Sequence, residues 1–169
     1  MNAAKPVICN TTLLSNFAAA KCTELLIRAL ARPLYTTPEV VSEISDGVQA
    51  GYSHLEILET FLLQENSPLQ IISLESKELA IFRELRLRLH AGEASCLAIA
   101  KHRAWILGTD DLAARKIARA KGVDVIGTIG ALIVARKIGL SLDAANRILH
   151  EMIDAGYRAP VKQLDEFWK

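Results

Sequence analysis

Five short apolar runs, separated by longer stretches of helical periodicity, leave this chain few folds to choose from. Pro6 to Cys9, Pro33 to Thr36, Leu69 to Leu74, Trp105 to Gly108 and Val123 to Gly127 are strand-sized and nearly continuous in apolar character. A strand exposed on one face alternates apolar and polar residues, whereas an unbroken apolar run belongs to a strand covered on both faces. Helices between such strands act as crossovers and make the sheet parallel. The expected fold class is therefore α/β, a three-layer α/β/α sandwich around a central parallel sheet of about five strands. No repeat, low-complexity stretch or Gly/Ser/Pro linker divides the 169 residues, of which 51% are apolar, so one domain over residues 1–169 is expected.

The intervening segments carry helix signals. Periodicity through Leu13, Leu14, Phe17, Leu25, Leu26 and Leu30 predicts one helix reaching about Ala31. Thr37-Pro38 reads as an N-cap followed by a first-turn proline, opening a helix towards Gly47. Ser53-His54-Leu55-Glu56 matches a capping box before a helix to about Gln64, and Ser76 is the expected cap of the next. Gly92-Glu93-Ala94 begins a small-residue helix able to pack closely on a sheet. A helix over 110–121 should stop at Gly122, Thr128 should cap one ending at Gly139, and Ser141 one ending at Gly156.

Several classes of function are excluded early. Cys9, Cys22 and Cys96 form no C-x-x-C pair, and an odd count disfavours a disulfide framework; the four histidines lack H-x-x-x-H spacing. No run is long enough to cross a membrane and the N-terminus lacks an apolar leader, so a soluble cytoplasmic protein is expected, without a membrane partner. Twenty Lys+Arg against nineteen Asp+Glu rule out binding to nucleic acid by bulk positive charge.

The chemistry-bearing residues stand at strand ends. Asn10-Thr11-Thr12 follows the first apolar run and Thr109-Asp110-Asp111 the fourth. Parallel sheets bind ligands beyond the carboxyl ends of their strands, near a topological switch point. Neither G-x-G-x-x-G nor G-x-x-x-x-G-K-[ST] occurs. Carboxylates without a phosphate loop point to a hard divalent cation, which takes oxygen ligands, keeps several waters and can serve in-line attack on a phosphodiester.

The segment V-I-C-N-T-T-L-L-S-N-F resembles the opening strand, turn and helix of PIN domains. The likeness continues through T-P-E-V-V-S-E-I, G-E-A-S-C-L-A-I-A and L-G-T-D-D-L-A-A-R-K-I-A-R-A-K-G-V-D-V-I-G-T-I-G, over about residues 6–156. It is most similar to the branch of VapC-type toxins. This resemblance implies a PIN-like sandwich, a Mg²⁺- or Mn²⁺-dependent endoribonuclease acting on RNA, a homodimer, and inhibition by a small antitoxin protein. Carried over by position, Asn10 stands where the family has its first Asp, Glu43 matches the second acid, Glu93 the third and Asp111 the fourth, with Asp110 beside it. These five are the expected metal and catalytic residues, and Thr11 and Thr12, which match hydroxyls that support the first turn, are expected RNA contacts. An amide oxygen at position 10 can ligate a cation but brings no charge and cannot act as a base. A PIN-like module with weak or lost catalysis, binding nucleic acid or regulating, therefore stays open as the alternative. A phosphohydrolase using an aspartyl nucleophile at Asp110-Asp111 lacks a matching lysine or threonine motif.

Charge along the chain is divided. Residues 39–79 hold eight acids and one base, residues 101–137 eight bases and three acids. Arg115, four residues past Asp111, is the first base able to share its helix face and is the expected RNA-backbone contact. Each acid also has a plainer use, since carboxylates favour the first turn of a helix and Asn and Thr favour caps. The aromatic tail, Pro160 to Lys169, could dock on its own domain or on a dimer mate.

Overall fold

The computed structural model describes residues 4–169. Five strands, β1 (Val7–Cys9), β2 (Leu34–Thr36), β3 (Leu69–Ile71), β4 (Ile106–Gly108) and β5 (Val125–Ile126), form one parallel sheet in the order β3-β2-β1-β4-β5. Helices on both faces complete the three-layer sandwich expected from the apolar runs. They are α1 (Thr11–Ala19), α2 (Thr23–Leu30), α3 (Pro38–Gln49), α4 (Glu56–Leu63), α5 (Ser76–Leu85), α6 (Ala91–Arg103), α7 (Leu112–Ala120), α8 (Thr128–Ala135) and α9 (Leu142–Asp154). Helix α6 lies against β1 and β4 and touches α3, α5 and α7, while α1 meets α2, α8 and α9. Gly92, Ala94, Ser95, Cys96, Ala98 and Ala100 of α6 are all buried, the close packing that its small residues allow.

The strand order sets the site. The chain builds β1, β2 and β3 outward in one direction, then returns to place β4 and β5 on the other side of β1. The order reverses between β1 and β4, where the crossovers leave to opposite faces and a crevice opens beyond the carboxyl ends. Cys9 pairs with Gly108 and Gly108 with Ile126, so Asn10, Thr109 and Gly127 leave the sheet side by side.

Several elements differ from the sequence expectation. The helix expected to run to Ala31 breaks into α1 and α2, because Lys21 takes a left-handed φ of 54° and the Cys22 amide folds back on the Phe17 carbonyl at 2.9 Å. The capping box at Ser53 does not form; Ser53–Leu55 is a 3-10 turn leading into α4. Ser76 is the first residue of α5, and Glu75 caps it in a reciprocal box with Glu78. The third strand stops at Ile71, where the sheet edge leaves it half exposed. The tail docks on its own chain, with Leu164 fully buried and its amide donating to Asn146 Oδ1 at 2.8 Å. Arg136 donates to the Lys169 carbonyl at 2.8 Å.

Candidate active site

Three helices begin at the crevice, and each start has a reason in the sequence. Asn10 caps α1, Asp111 caps α7 by accepting the Ala114 amide at 2.6 Å, and Glu93 stands in the first turn of α6. Unpaired amides and aligned dipoles make such ends favourable for negative charge. The acids thus sit where the backbone can tolerate them close together.

Asn10 is fully buried and both ends of its amide are engaged. Its Nδ2 donates to Thr109 Oγ1 at 2.7 Å, and its Oδ1 accepts from the Thr12 hydroxyl at 2.8 Å and from the Leu13 amide at 3.4 Å. The Asp110 amide donates to Thr12 Oγ1 at 3.0 Å and the Asp111 amide to Thr109 Oγ1 at 3.1 Å. One closed network therefore sets the turn after β4 relative to the turn after β1.

Glu43, on α3, reaches across to both neighbours. Its carboxylate accepts from the Thr11 hydroxyl and, at 2.9 Å, from the Gly92 amide. A β-carbon at position 92 would fall 2.5 Å from Glu43 Oε2, so this approach requires glycine there. The next residue, Glu93, accepts from the His90 amide at 3.1 Å. Burial pushes the Glu93 carboxyl above the usual carboxylate range; the negative charge of Asp111, and less so of Glu43, pushes it the same way. Glu43, Glu93 and Asp111 therefore share one electrostatic field.

Asp110 is turned elsewhere. Oδ1 accepts from the Thr128 amide and the Tyr157 hydroxyl, each at 3.0 Å, and Oδ2 from the Thr128 hydroxyl at 2.6 Å and Asn16 Nδ2 at 3.2 Å. Thr128, expected to cap α8, gives its hydroxyl to Asp110 instead, and Gly127 holds the cap position. The adjacent aspartates are thus divided, one tying α1, α8 and the segment after α9 together and the other facing the acids.

A cleft of about 880 Å³ opens at this edge. Thr12, Asn16, Asp110 and Asp111 line it together with Arg115, Arg119, Tyr157 and Arg158; Glu43 and Glu93 lie outside its lining. Arg115 Nη1 donates to the Thr109 carbonyl at 2.9 Å, and a β-carbon on Gly127 would fall 2.5 Å from that nitrogen. Among the described residues, no three His, Cys, Asp or Glu side chains form a preassembled metal cage.

Comparison with known families places the chain. The family model described as DUF3368, PIN domain, matches residues 6–169. The chain belongs to the PIN-domain family. PIN domains are generally nucleases, bind nucleic acid and typically use divalent metal ions. No curated protein and no solved structure matches this PIN domain significantly. Among the described residues, no helix is long and apolar enough to cross a membrane.

Sequence reasoning missed Asn16, Thr128 as a partner of Asp110, Tyr157 and Arg158, and placed Arg119 only within the basic stretch of residues 101–137. Asn16 carried a signal, standing four residues after Thr12 and hence on its helix face. Tyr157 carried none, because its approach depends on how the chain returns after α9.

Proposed function

We propose that this PIN domain, a single domain over 1–169, is a metal-dependent endoribonuclease of the VapC-like branch. It is the toxin of a cytoplasmic toxin–antitoxin pair, working as a homodimer held in check by a small antitoxin. The observation that carries the reading is the half-buried carboxyl of Glu93, pushed up by burial and then by the charges of Asp111 and Glu43, beside an arginine-lined cleft. A carboxyl pushed up by two neighbouring carboxylates is relieved by a cation from solution, and all three offer hard oxygen donors.

Mg²⁺ or Mn²⁺ fits that donor set without a cage, since such ions bind through one or two carboxylates and keep their waters. Glu93 and Asp111 would hold the ion with Glu43. Asp111 spends Oδ1 on the α7 cap, and Glu93 spends Oε2 on the His90 amide. When bound, the ion supplies an activated water and charge stabilisation at phosphorus. Arg115, Arg119 and Arg158 hold the flanking phosphates along the cleft. Asn10, Thr11 and Thr12 set the first turn: Thr11 orients Glu43, and Asn10 holds the hydroxyls of Thr12 and Thr109. Asp110 is a positioning residue that fixes the turn carrying Asp111.

The test is cleavage of a structured RNA with Mn²⁺ present or chelated. Cleavage should require Mn²⁺ and be lost in Glu93→Gln and Asp111→Asn; unchanged cleavage by both variants would sink the assignment. The engaged amide of Asn10 favours a second reading, a PIN module that binds RNA with little catalysis. Cleavage by Asn10→Asp but not by the natural sequence would support that reading, and strong wild-type cleavage would remove it.

A further inference from the structure

A second cleft, of about 690 Å³, lies between the α1–α2 turn and the 3-10 turn leading into α4. Ser15, on the wall of the acidic cleft, is joined to His54, on the wall of this one, by a 3.0 Å hydrogen bond. Ser15 lies one helical turn beyond Thr11, the partner of Glu43, so the second cleft begins within about two turns of the acids along α1. The Ser15–His54 pair is thus the ridge between the two clefts.

The lining is that of a small-molecule site. Ile57 and Phe61 supply apolar surface, and the volume is in the range of ligand pockets. Thr23 lines the cleft, is 5% exposed, and its Oγ1 has no hydrogen-bond partner among the described residues. A buried hydroxyl left unpaired is costly, and one that borders a cavity is satisfied when a polar ligand fills it. Helix α2, which starts at Thr23, has no side-chain cap, so its first amides face the same region. The carboxylates of Glu24 and Glu56 and the ammonium of Lys21 complete the polar lining.

Two carboxylates against one ammonium leave the cleft net negative, which disfavours a phosphate inside it, and the carboxylates accept hydrogen bonds from amino groups. Phe61 offers a face on which a planar ring can stack. We propose that the second cleft is a base-binding subsite for the nucleotide flanking the scissile phosphate. It takes bases that bear an exocyclic amino group (adenine, cytosine or guanine) in preference to uracil. The proposal rests on the ribonuclease reading above, and its test is separable from it.

Fluorescence anisotropy of rA, rC, rG and rU oligonucleotides on the full chain, with chelator present to block cleavage, measures the preference without turnover. The rU oligonucleotide should bind about tenfold more weakly than the best of the others. Thr23→Val, which keeps the side-chain shape, and Phe61→Ala should each shrink that difference to about twofold, in protein whose melting temperature shows it folded. Ultraviolet crosslinks should map to residues 53–61. Equal binding of all four oligonucleotides, an unchanged preference in both variants, or crosslinks confined to residues 110–119 and 156–158 would overturn the subsite. If Mn²⁺-dependent cleavage persists in that event, the ribonuclease reading survives. A retained base preference without cleavage at any Mn²⁺ concentration would keep the subsite and defeat the ribonuclease reading.

Discussion

The division of labour between adjacent aspartates gives the sharpest prediction. Asp110 accepts from the Thr128 amide, the Thr128 hydroxyl, the Tyr157 hydroxyl and Asn16. Asp110→Ala strips the partner from all of these donors at once. A hydrogen bond to a charged group is worth about 1.5–3 kcal/mol, and water entering the cleft replaces part of what is lost. A net cost of about 3 kcal/mol follows, equivalent to a fall of about 10 °C in melting temperature for a chain of this size. The side chain of Asp111 makes one hydrogen bond to the fold, its cap on the Ala114 amide, and asparagine caps a helix as well as aspartate. Asp111→Asn should therefore melt within about 3 °C of wild type while Mn²⁺-dependent cleavage falls on the order of a hundredfold or more. Differential scanning fluorimetry beside an RNA-cleavage assay reads both quantities. The reasoning fails if Asp110→Ala melts with wild type, or if Asp111→Asn loses as much stability as Asp110→Ala.

Three further outcomes follow from neighbouring contacts. Glu93 has a raised folded-state pKa, through burial and then the charge of Asp111, so its ionisation works against folding. Stability from the neutral form is complete below the unfolded value near 4.5 and is lost as pH rises through the folded pKa. Glu93→Gln should thus be more stable than wild type at pH 7, with the gap closing in chemical denaturation below pH 4.5. Gly92→Ala puts a methyl 2.5 Å from Glu43 Oε2; the carboxylate should move and the fold should not, cutting cleavage by up to about a hundredfold with melting almost unchanged. Glu78 is buried against Arg103 Nε at 2.6 Å, and although burial alone would push its carboxyl up, the arginine brings it below the usual value. Glu78→Gln should cost about 3 kcal/mol in urea titrations at pH 7, an advantage wild type loses as pH falls below 4.5 and through the folded pKa.

The sandwich was legible because both of its periods are written in the chain, apolar runs for doubly covered strands and wider spacing for the helices between them. The edge of the sheet was less so. Leu69 to Leu74 reads as one strand, but pairing ends at Ile71, since β3 has a neighbour on one side only. The break at Lys21 was hidden because an apolar stripe with helical spacing spans both α1 and α2, and lysine does not announce a left-handed turn. Local cap signals failed where tertiary partners competed: the Thr128 hydroxyl has a carboxylate within 2.6 Å, a stronger acceptor–donor match than its own helix end offers. The positions of the acids could be read from strand ends and family likeness. Their division into an Asp110 engaged by its neighbours and an Asp111 that acts on Glu93 could not, because it depends on Tyr157 arriving from 47 residues away.

Asn10 is best understood through the charges around it. An aspartate at this fully buried position would add a carboxylate beside a field in which Glu93 is already pushed towards neutrality by burial and then by Asp111 and Glu43. Asparagine fills the same space, caps α1, and adds what a carboxylate cannot, an N–H donor to Thr109 at 2.7 Å. The network between the turns after β1 and β4 is thereby closed without a cation, so the turns remain set when no ion is bound. Asn10→Asp should reverse that order of dependence. The variant should melt lower than wild type in chelator and gain more on adding Mn²⁺, because only the ion can then offset the extra buried charge. A melting temperature for Asn10→Asp that matches wild type in chelator and responds equally to Mn²⁺ would mean that charge balance is not why this position is neutral.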